Sequence, residues 1–368
     1  MEFKKHKLGE FIDTISETST IKKQQVVLIN TSDVENGKVL NHKYTENKNL
    51  KGQFKKRFRK DDILYSEIRP KNKRFAYVDF DASDYIASTK LMVLRNKGNI
   101  DNTFLYQLLK SNKIINQLQL LAESRSGTFP QITFNELANV EIEIPNIENQ
   151  IKISKILTDI DSKIEINNQT NDNLFEIIKT QYDKFINDID EYELVKLKDI
   201  VNVSSGKRPK IKGNEFDIPL IGASGVMAYT DNYNFNEDIL IIGRVGTLGV
   251  VQRYFDKIWA SDNTLTIKTE YSSSVECYLK TVDYISLNRG STQPLITQTD
   301  ISNLEMKFNK MKFMKFENEI KPLRNKIYQN ELQNKTLEQL RDTLLPKLMN
   351  GEIDLDKIEI WSYKLLFV

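Results

Sequence analysis

The sequence predicts an α+β protein: two similar mixed domains joined by two long antiparallel helices that form a coiled coil, the whole a pseudo-two-fold internal repeat. Three observations carry this reading. The chain repeats itself, each copy contains short alternating apolar runs, and each copy ends in a heptad seam. The predicted organisation is a first domain over 1–146, a long helix over 147–188, a second domain over 189–308, a second long helix over 309–351, and a tail over 352–368.

The repeat is diverged but ordered. Lys7-Leu8-Gly9-Glu10-Phe11-Ile12 recurs as Lys196-Leu197-Lys198-Asp199-Ile200-Val201, at an offset of 189. Asp62-Ile63-Leu64 recurs as Asp238-Ile239-Leu240 at 176, and Pro130-Gln131-Ile132-Thr133 as Pro294-Leu295-Ile296-Thr297 at 164. The falling offset means that the second copy has lost about 25 residues from its middle. Similar ends around a different middle suggest one scaffold presenting two different surfaces. Within each copy, alternating runs at 75–80 and 264–267 predict strands. Helical stretches near 102–121 and 274–286 precede glycine-containing loops at 124–130 and 288–294.

The long helices carry the most specific signal. Ile153, Leu157, Ile160, Ile164, Asn167, Asn171, Leu174, Ile178, Gln181 and Phe185 alternate four- and three-residue steps, the seam of a coiled coil. Shifted by 163, the second copy reads Phe316, Ile320, Leu323, Ile327, Asn330, Asn334, Leu337, Arg341, Leu344 and Leu348. Antiparallel packing sets Asn167 opposite Asn334 and Asn171 opposite Asn330. A register slip would bury an amide against Leu or Ile at roughly 1–3 kcal/mol per unsatisfied group. Parallel packing also matches asparagines, so direction rests on the folded residues between the helices and on the duplication. Two amphipathic helices packed on separate cores are the alternative. Pro322 and Pro346 should kink or end the second helix, and Arg341 should lie at the seam's edge.

Composition sets limits. The 368 residues are 39% hydrophobic and 28% charged, with a net charge of +2. Residues 1–146 hold 24 Lys/Arg against 18 Asp/Glu, while 190–308 hold 13 against 16, so only the first region attracts phosphate broadly. Cys277 is the single cysteine, which excludes an internal disulfide. No apolar run reaches membrane-spanning length, and MEFKKHKLGEF lacks a signal peptide's apolar core, so the expected location is cytoplasmic. No catalytic, cofactor or metal residues are assigned. His6 and His42 are the only histidines, too few for a metal site or a triad. Gly243-Arg244-Val245-Gly246-Thr247-Leu248-Gly249 lacks the spacing of a nucleotide loop and is read as a turn between strands.

Four segments in duplicated order bring in a family. Asp62-Ile63-Leu64-Tyr65-Ser66-Glu67-Ile68-Arg69-Pro70, Ser126-Gly127-Thr128-Phe129-Pro130-Gln131-Ile132, Gly290-Ser291-Thr292-Gln293-Pro294-Leu295-Ile296 and Thr343-Leu344-Leu345-Pro346-Lys347-Leu348-Met349-Asn350-Gly351-Glu352-Ile353 make the chain resemble the specificity subunit of type I restriction–modification systems. The resemblance covers nearly the whole chain. It implies two target-recognition domains that read a split site on double-stranded DNA, one half-site each, with the spacer set by the helices. It also implies two adenine-methyltransferase subunits docked mainly on the helices, and two ATP-dependent restriction/translocase subunits. S-adenosylmethionine, ATP and magnesium would then be bound by those partners and no cofactor by this chain. A 33-residue seam is about 50 Å long, enough to hold two readers roughly 35 Å, one DNA turn, apart. The weakly acidic second domain and the hydrophobic tail 361–368 depart from the pattern.

Candidate DNA contacts follow from charge and loops. In the first domain they are Lys55, Lys56, Arg57, Arg59, Lys60, Arg69, Lys71, Lys73 and Arg74. In the second they are Lys207, Arg208, Lys210, Lys212, Arg244 and Arg253. Arg125 and Arg289 occupy matching positions beside the glycine loops, with Ser126, Thr128, Thr292 and Gln293. Lys and Arg supply a salt-sensitive phosphate grip, and Arg also reads guanine. The rival functions are a self-sufficient DNA methyltransferase or nuclease with an unrecognised site, and a coiled-coil scaffold that binds only proteins.

Overall fold

The computed structural model describes residues 2–18, 21–48, 50, 52–125, 127–213, 215–290, 292–353 and 355. Ser126 and the tail 361–368 therefore lie outside the described residues. The chain divides into two compact units. Unit 1 comprises the described residues of Met1–Glu165 and Asn334–Val368, and unit 2 is Ile166–Gln333.

Unit 1 is built on an antiparallel sheet in the order Ile12–Thr14, Leu91–Asn96, Ile63–Ser66, Phe75–Tyr77. A second sheet runs Tyr44–Glu46, Gln25–Ile29, Tyr85–Ser88, Phe54–Lys56, its two inner strands parallel. Ile63 and Tyr65 face α1 (Asn102–Leu109) and α2 (Asn112–Arg125), while Leu64 faces the second sheet. Apolar cover on both faces is why this strand reads as an unbroken apolar run. The stretch expected as one helix is two, because Ser111 Oγ accepts from Ile114 N and opens a new first turn. The five-residue α3 (Phe134–Ala138) follows, then Glu141–Ile144 pairs with Lys4–Lys7. The chain then enters α4 (Ile147–Asp188).

Unit 2 repeats the plan. Its main sheet runs Asn202–Ser205, Thr264–Lys268, Ile239–Gly243, Val251–Tyr254, and Glu193–Lys196 pairs with Glu305–Phe308. A smaller sheet holds Gly225–Thr230, Ile218–Gly222 and Trp259–Ala260. The helices are α5 (Ser272–Leu279), shorter than the 274–286 stretch implied, α6 (Gln298–Ser302) and α7 (Lys310–Met349).

The central strands correct the repeat's register by one residue. Leu240 and Ile242 face the helices and Ile239 and Ile241 the second sheet, so Ile63 corresponds to Leu240 at an offset of 177 rather than to Ile239. The neighbouring strands agree: Ile63 lies opposite Leu94, and Leu240 opposite Ile267. Leu94 and Ile267 in turn lie opposite Thr14 and Val203, which are 189 apart. Side chains alternate along a strand, so the slip matched by residue identity would have turned every side chain to the wrong face.

The long helices follow the seam except at Gln181, which is exposed while its neighbour Tyr182 takes the buried place. In unit 1, Ile153, Leu157 and Ile160 share a core with Leu337, Leu345 and Leu348. In unit 2, Leu174, Ile178 and Tyr182 pack with Phe316, Ile320, Leu323 and Ile327. Direction is fixed by side chains in unit 2: Asn167 Nδ2 donates to Gln333 Oε1 at 2.8 Å, Asn330 Nδ2 donates to Asn171 Oδ1 at 2.8 Å, and Phe185 stacks on Phe316. Partner numbers fall as those of α4 rise, so the helices run antiparallel. Asn171 meets Asn330 directly, as the seam predicts, and Asn167 also bonds Gln333. Helix α7 continues through Pro322 and ends at Met349, three residues after Pro346 and before Gly351. Each proline forfeits one backbone bond, and buried Ile320 and Leu348 hold the flanking turns in place. Arg341 is not merely edge-exposed: its Nη1 donates to Asp161 Oδ1 at 3.0 Å, and Asp161 Oδ2 accepts from Lys110 Nζ at 2.5 Å.

Candidate nucleic-acid interface

In unit 1 three segments meet beyond the central strand. Ile132 N donates to Glu67 O, Arg69 N donates to Pro130 O at 3.1 Å, and Arg69 Nη2 reaches Thr128 O at 3.3 Å. Lys71 N is held by Gln119 Oε1 of α2. The basic strand Phe54–Lys56 joins through a chain of charges: Lys56 Nζ lies 3.9 Å from Glu67, which lies 3.7 Å from Lys90, and Lys90 Nζ donates to Gln131 Oε1 at 3.0 Å. Loops 66–74 and 127–131 and Lys56 of the strand are thus tied together.

Unit 2 assembles the equivalent loops. Ile296 N donates to Arg244 O, and Gly246 N donates to Pro294 O at 3.0 Å. Arg244 Nη1 and Gln298 Nε2 both donate to Ser205 Oγ, which draws in the segment that leads to Lys207 and Arg208. A Cβ on Gly290 would sit 1.8 Å from Gln293 O, so only glycine closes this loop. The segment 244–250 joins two antiparallel strands, a turn as its sequence suggested.

The predicted cations divide by what they touch. Lys55, Arg57, Arg59, Lys60, Lys71 and Lys73 in unit 1 are exposed, with no ion pair to a described carboxylate. So are Lys207, Arg208, Lys210 and Lys212 in unit 2. Thr128, Thr292 and Gln293 are exposed on the loops. Lys56, Arg74, Arg125, Arg244, Arg253 and Arg289 have internal work, Arg244 through its bond to Ser205. Lys56 Nζ donates to Leu91 O, and burial pushes its ammonium below the ordinary lysine range. Arg74 binds Ser32 O and lies 3.6 Å from Glu35. Arg125 and Arg289 pair with Glu136 and Asp300, the acidic members of capping boxes opened by Thr133 and Thr297. Their matched positions thus mark a repeated clamp between loop and helix.

Arg253 is the clearest correction. Its side chain is 10% exposed, and its guanidinium grips Asp238 through Nε at 2.8 Å and Nη2 at 2.6 Å, with Glu276 3.4 Å from Nη1. It is a structural residue facing inward, not a phosphate contact. Burial would raise the Glu276 carboxyl, but Arg324, Lys280 and Arg253 hold it below the usual range. Sequence reasoning missed this cluster because its partners sit on strands and helices far apart in the chain. It also missed the aromatic neighbours of the unit 2 cations. Tyr229 and Tyr233 are exposed, and residue 229 pairs with 213 beside Lys210 and Lys212.

Five described non-glycine residues have left-handed backbones, Asn36, Asp61, Arg69, Lys73 and Glu191, and two of them lie on this loop surface. Arg69 has φ +44° and Lys73 φ +51°, left-handed values that cost a residue with a Cβ about 1–2 kcal/mol. Gly246, which makes the same hydrogen bond as Arg69, has φ +79° without that cost.

Chemistry on this chain's own side chains is sparse. Cys277 is buried, and its thiol is pushed up to about 12 by that burial. Among the described residues no group of three His, Cys, Asp or Glu could hold a metal, and no helix is long and apolar enough to cross a membrane.

Comparison with known proteins agrees with this architecture. The specificity subunit of the type I restriction enzyme HindI from Haemophilus influenzae is 43% identical over 191 residues, 51% of this chain and 42% of that protein. The MjaIX specificity subunit from Methanocaldococcus jannaschii is 24% identical over 332 residues, 74% of this chain and 76% of the relative. The chain thus spans less than half the length of the first of these relatives. The crystal structure of a type I restriction–modification S subunit from M. genitalium superposes with a TM-score of 0.51 at 17% identity, covering 95% of this chain and 96% of that one, and shares its fold. The profile of the type I restriction modification DNA specificity domain matches residues 1–176 and again 189–312, and the chain belongs to that family.

Proposed function

We propose that the chain is the sequence-reading subunit of a type I restriction–modification complex, which binds a bipartite site on double-stranded DNA. Each unit reads one half-site, and the long helices set the spacer. The observation that carries this reading is the repeated loop surface. Two units present equivalent loops, held by the same backbone hydrogen bonds, beside exposed cations that no described carboxylate neutralises. Equal scaffolds with unequal loop residues are what two half-sites of different sequence require.

In this reading the chain works in the cytoplasm and performs no chemistry itself. Two methyltransferase subunits supply S-adenosylmethionine and flip the target adenines, and two restriction/translocase subunits use ATP and magnesium. Footprinting of the full chain on a randomly fragmented genome tests it. Two protected patches separated by an unprotected gap are expected. A single continuous patch would refute the split site, and no protection at all would favour a protein-binding scaffold. Transfer of labelled methyl groups by the lone chain would instead support a self-sufficient enzyme.

A further inference from the structure

Positions 69 and 246 are structural equivalents occupied by opposite choices. Both follow the central strand, both donate N–H to the carbonyl of the repeated proline, and both have left-handed backbones. The flanking bonds match as well: Ile132 N to Glu67 O, and Ile296 N to Arg244 O. The fold therefore demands a left-handed residue here, and unit 2 supplies glycine. Unit 1 supplies arginine, which pays for the conformation and recovers little from the protein. Arg69 is exposed, pairs with no described carboxylate, and gives only one long bond, from Nη2 to Thr128 O. Its Nε and Nη1 have no acceptor among the described residues. Lys71 and Lys73 stand beside it, exposed, where they would meet phosphates while the guanidinium reaches further.

We propose that Arg69 is the base-reading residue of unit 1. It donates two parallel N–H bonds to the O6 and N7 acceptors of a guanine in the major groove and so fixes that base in the first half-site. The strained backbone aims the side chain outward, and the Thr128 carbonyl braces its fork. Gly246 can offer no such contact, so unit 2 reads its half-site with other groups. This rests on the reading of unit 1 as a DNA-binding domain.

The test is R69G, which installs the residue that unit 2 uses. The full chain, wild-type or variant, selects duplexes from a randomised pool, and its thermal unfolding is followed in parallel. Wild type is expected to recover a bipartite motif with a guanine in one half. R69G should recover the same motif with that one position degenerate, its discrimination down roughly 10- to 100-fold. Its Tm should be unchanged or about 2–4 °C higher, since strain is relieved. R69K should keep overall affinity but weaken the guanine preference, because an ammonium lacks the rigid planar fork that matches O6 and N7 together. If R69G keeps the full motif, or loses Tm as a structural arginine would, the inference fails while the DNA-binding reading stands. If wild type recovers no motif at all, the reading itself fails.

Discussion

Lysines adjacent in sequence do different work because adjacent strand residues face opposite ways. Lys55 and Arg57 are exposed on either side of Lys56, whose ammonium turns in to Leu91 O and Glu67. Replacing Lys55, Arg57 and Lys60 together with alanine should therefore weaken DNA binding and flatten its salt dependence. The slope of log K against log salt should fall by about 0.9 for each phosphate that the variant leaves unneutralised. Lys56→Ala should leave that slope alone and cost about 1 kcal/mol of stability, because Leu91 O and Glu67 lose a partner. Binding isotherms from about 50 to 300 mM salt beside urea titrations separate the two. A slope unchanged in the triple variant would remove this strand from the interface.

At the scale of elements, the helices were legible and the strand register was not. A heptad seam is a long, redundant pattern, and its ends at 147–188 and 309–351 match Ile147–Asp188 and Lys310–Met349 to within a residue or two. Asp62-Ile63-Leu64 and Asp238-Ile239-Leu240 are only three residues long, and identity over so short a span cannot detect a one-residue slip. Structure aligns Asp61 with Asp238 instead, which explains their partners: Asp61 accepts from Tyr77 OH, and Asp238 binds Arg253, each partner on the same flanking strand. Ion pairs stayed hidden for a related reason, since nothing in a sequence links residue 276 to residue 324. That cluster bears on one carboxyl of α7. Glu331 of α7 is exposed at the surface, yet desolvation by the protein around its base and the charge of Glu276 raise it to about 7, with Asp256 adding to it and Arg324 and Arg253 opposing. Unfolded, it titrates near 4.5, so between about 4.5 and 7 the folded state holds the proton more tightly and stability falls as pH rises. Above about 7 the penalty is constant. Glu331→Gln should therefore raise the urea midpoint more at pH 8 than at pH 5. An equal gain at both would show that this carboxyl titrates normally.

On the proposed reading, the molecule as a whole makes two readers from one scaffold by keeping the parts that close each unit and varying the parts that face outward. Both copies retain the strand pairing that closes the unit, the main sheet order, the capping box with its arginine clamp, and the loop bonds to proline. They differ at 69 against 246, in the basic strand that only unit 1 carries, and in the exposed tyrosines beside the lysines of unit 2. Each unit has cores built from its own residues, so a surface change in one should act additively with a surface change in the other. Contacts to DNA should then be separable by half-site. Alanine at Lys71 and Lys73 should reduce protection of one half-site and leave the bases preferred in the other unchanged. Alanine at Lys207, Arg208 and Lys210 should do the reverse. Overall affinity should fall in both variants, because a bipartite ligand is held by the sum of its two ends. Footprints of the two variants on one selected duplex decide the matter. Loss of both patches in either variant would mean that the units recognise DNA as a single surface.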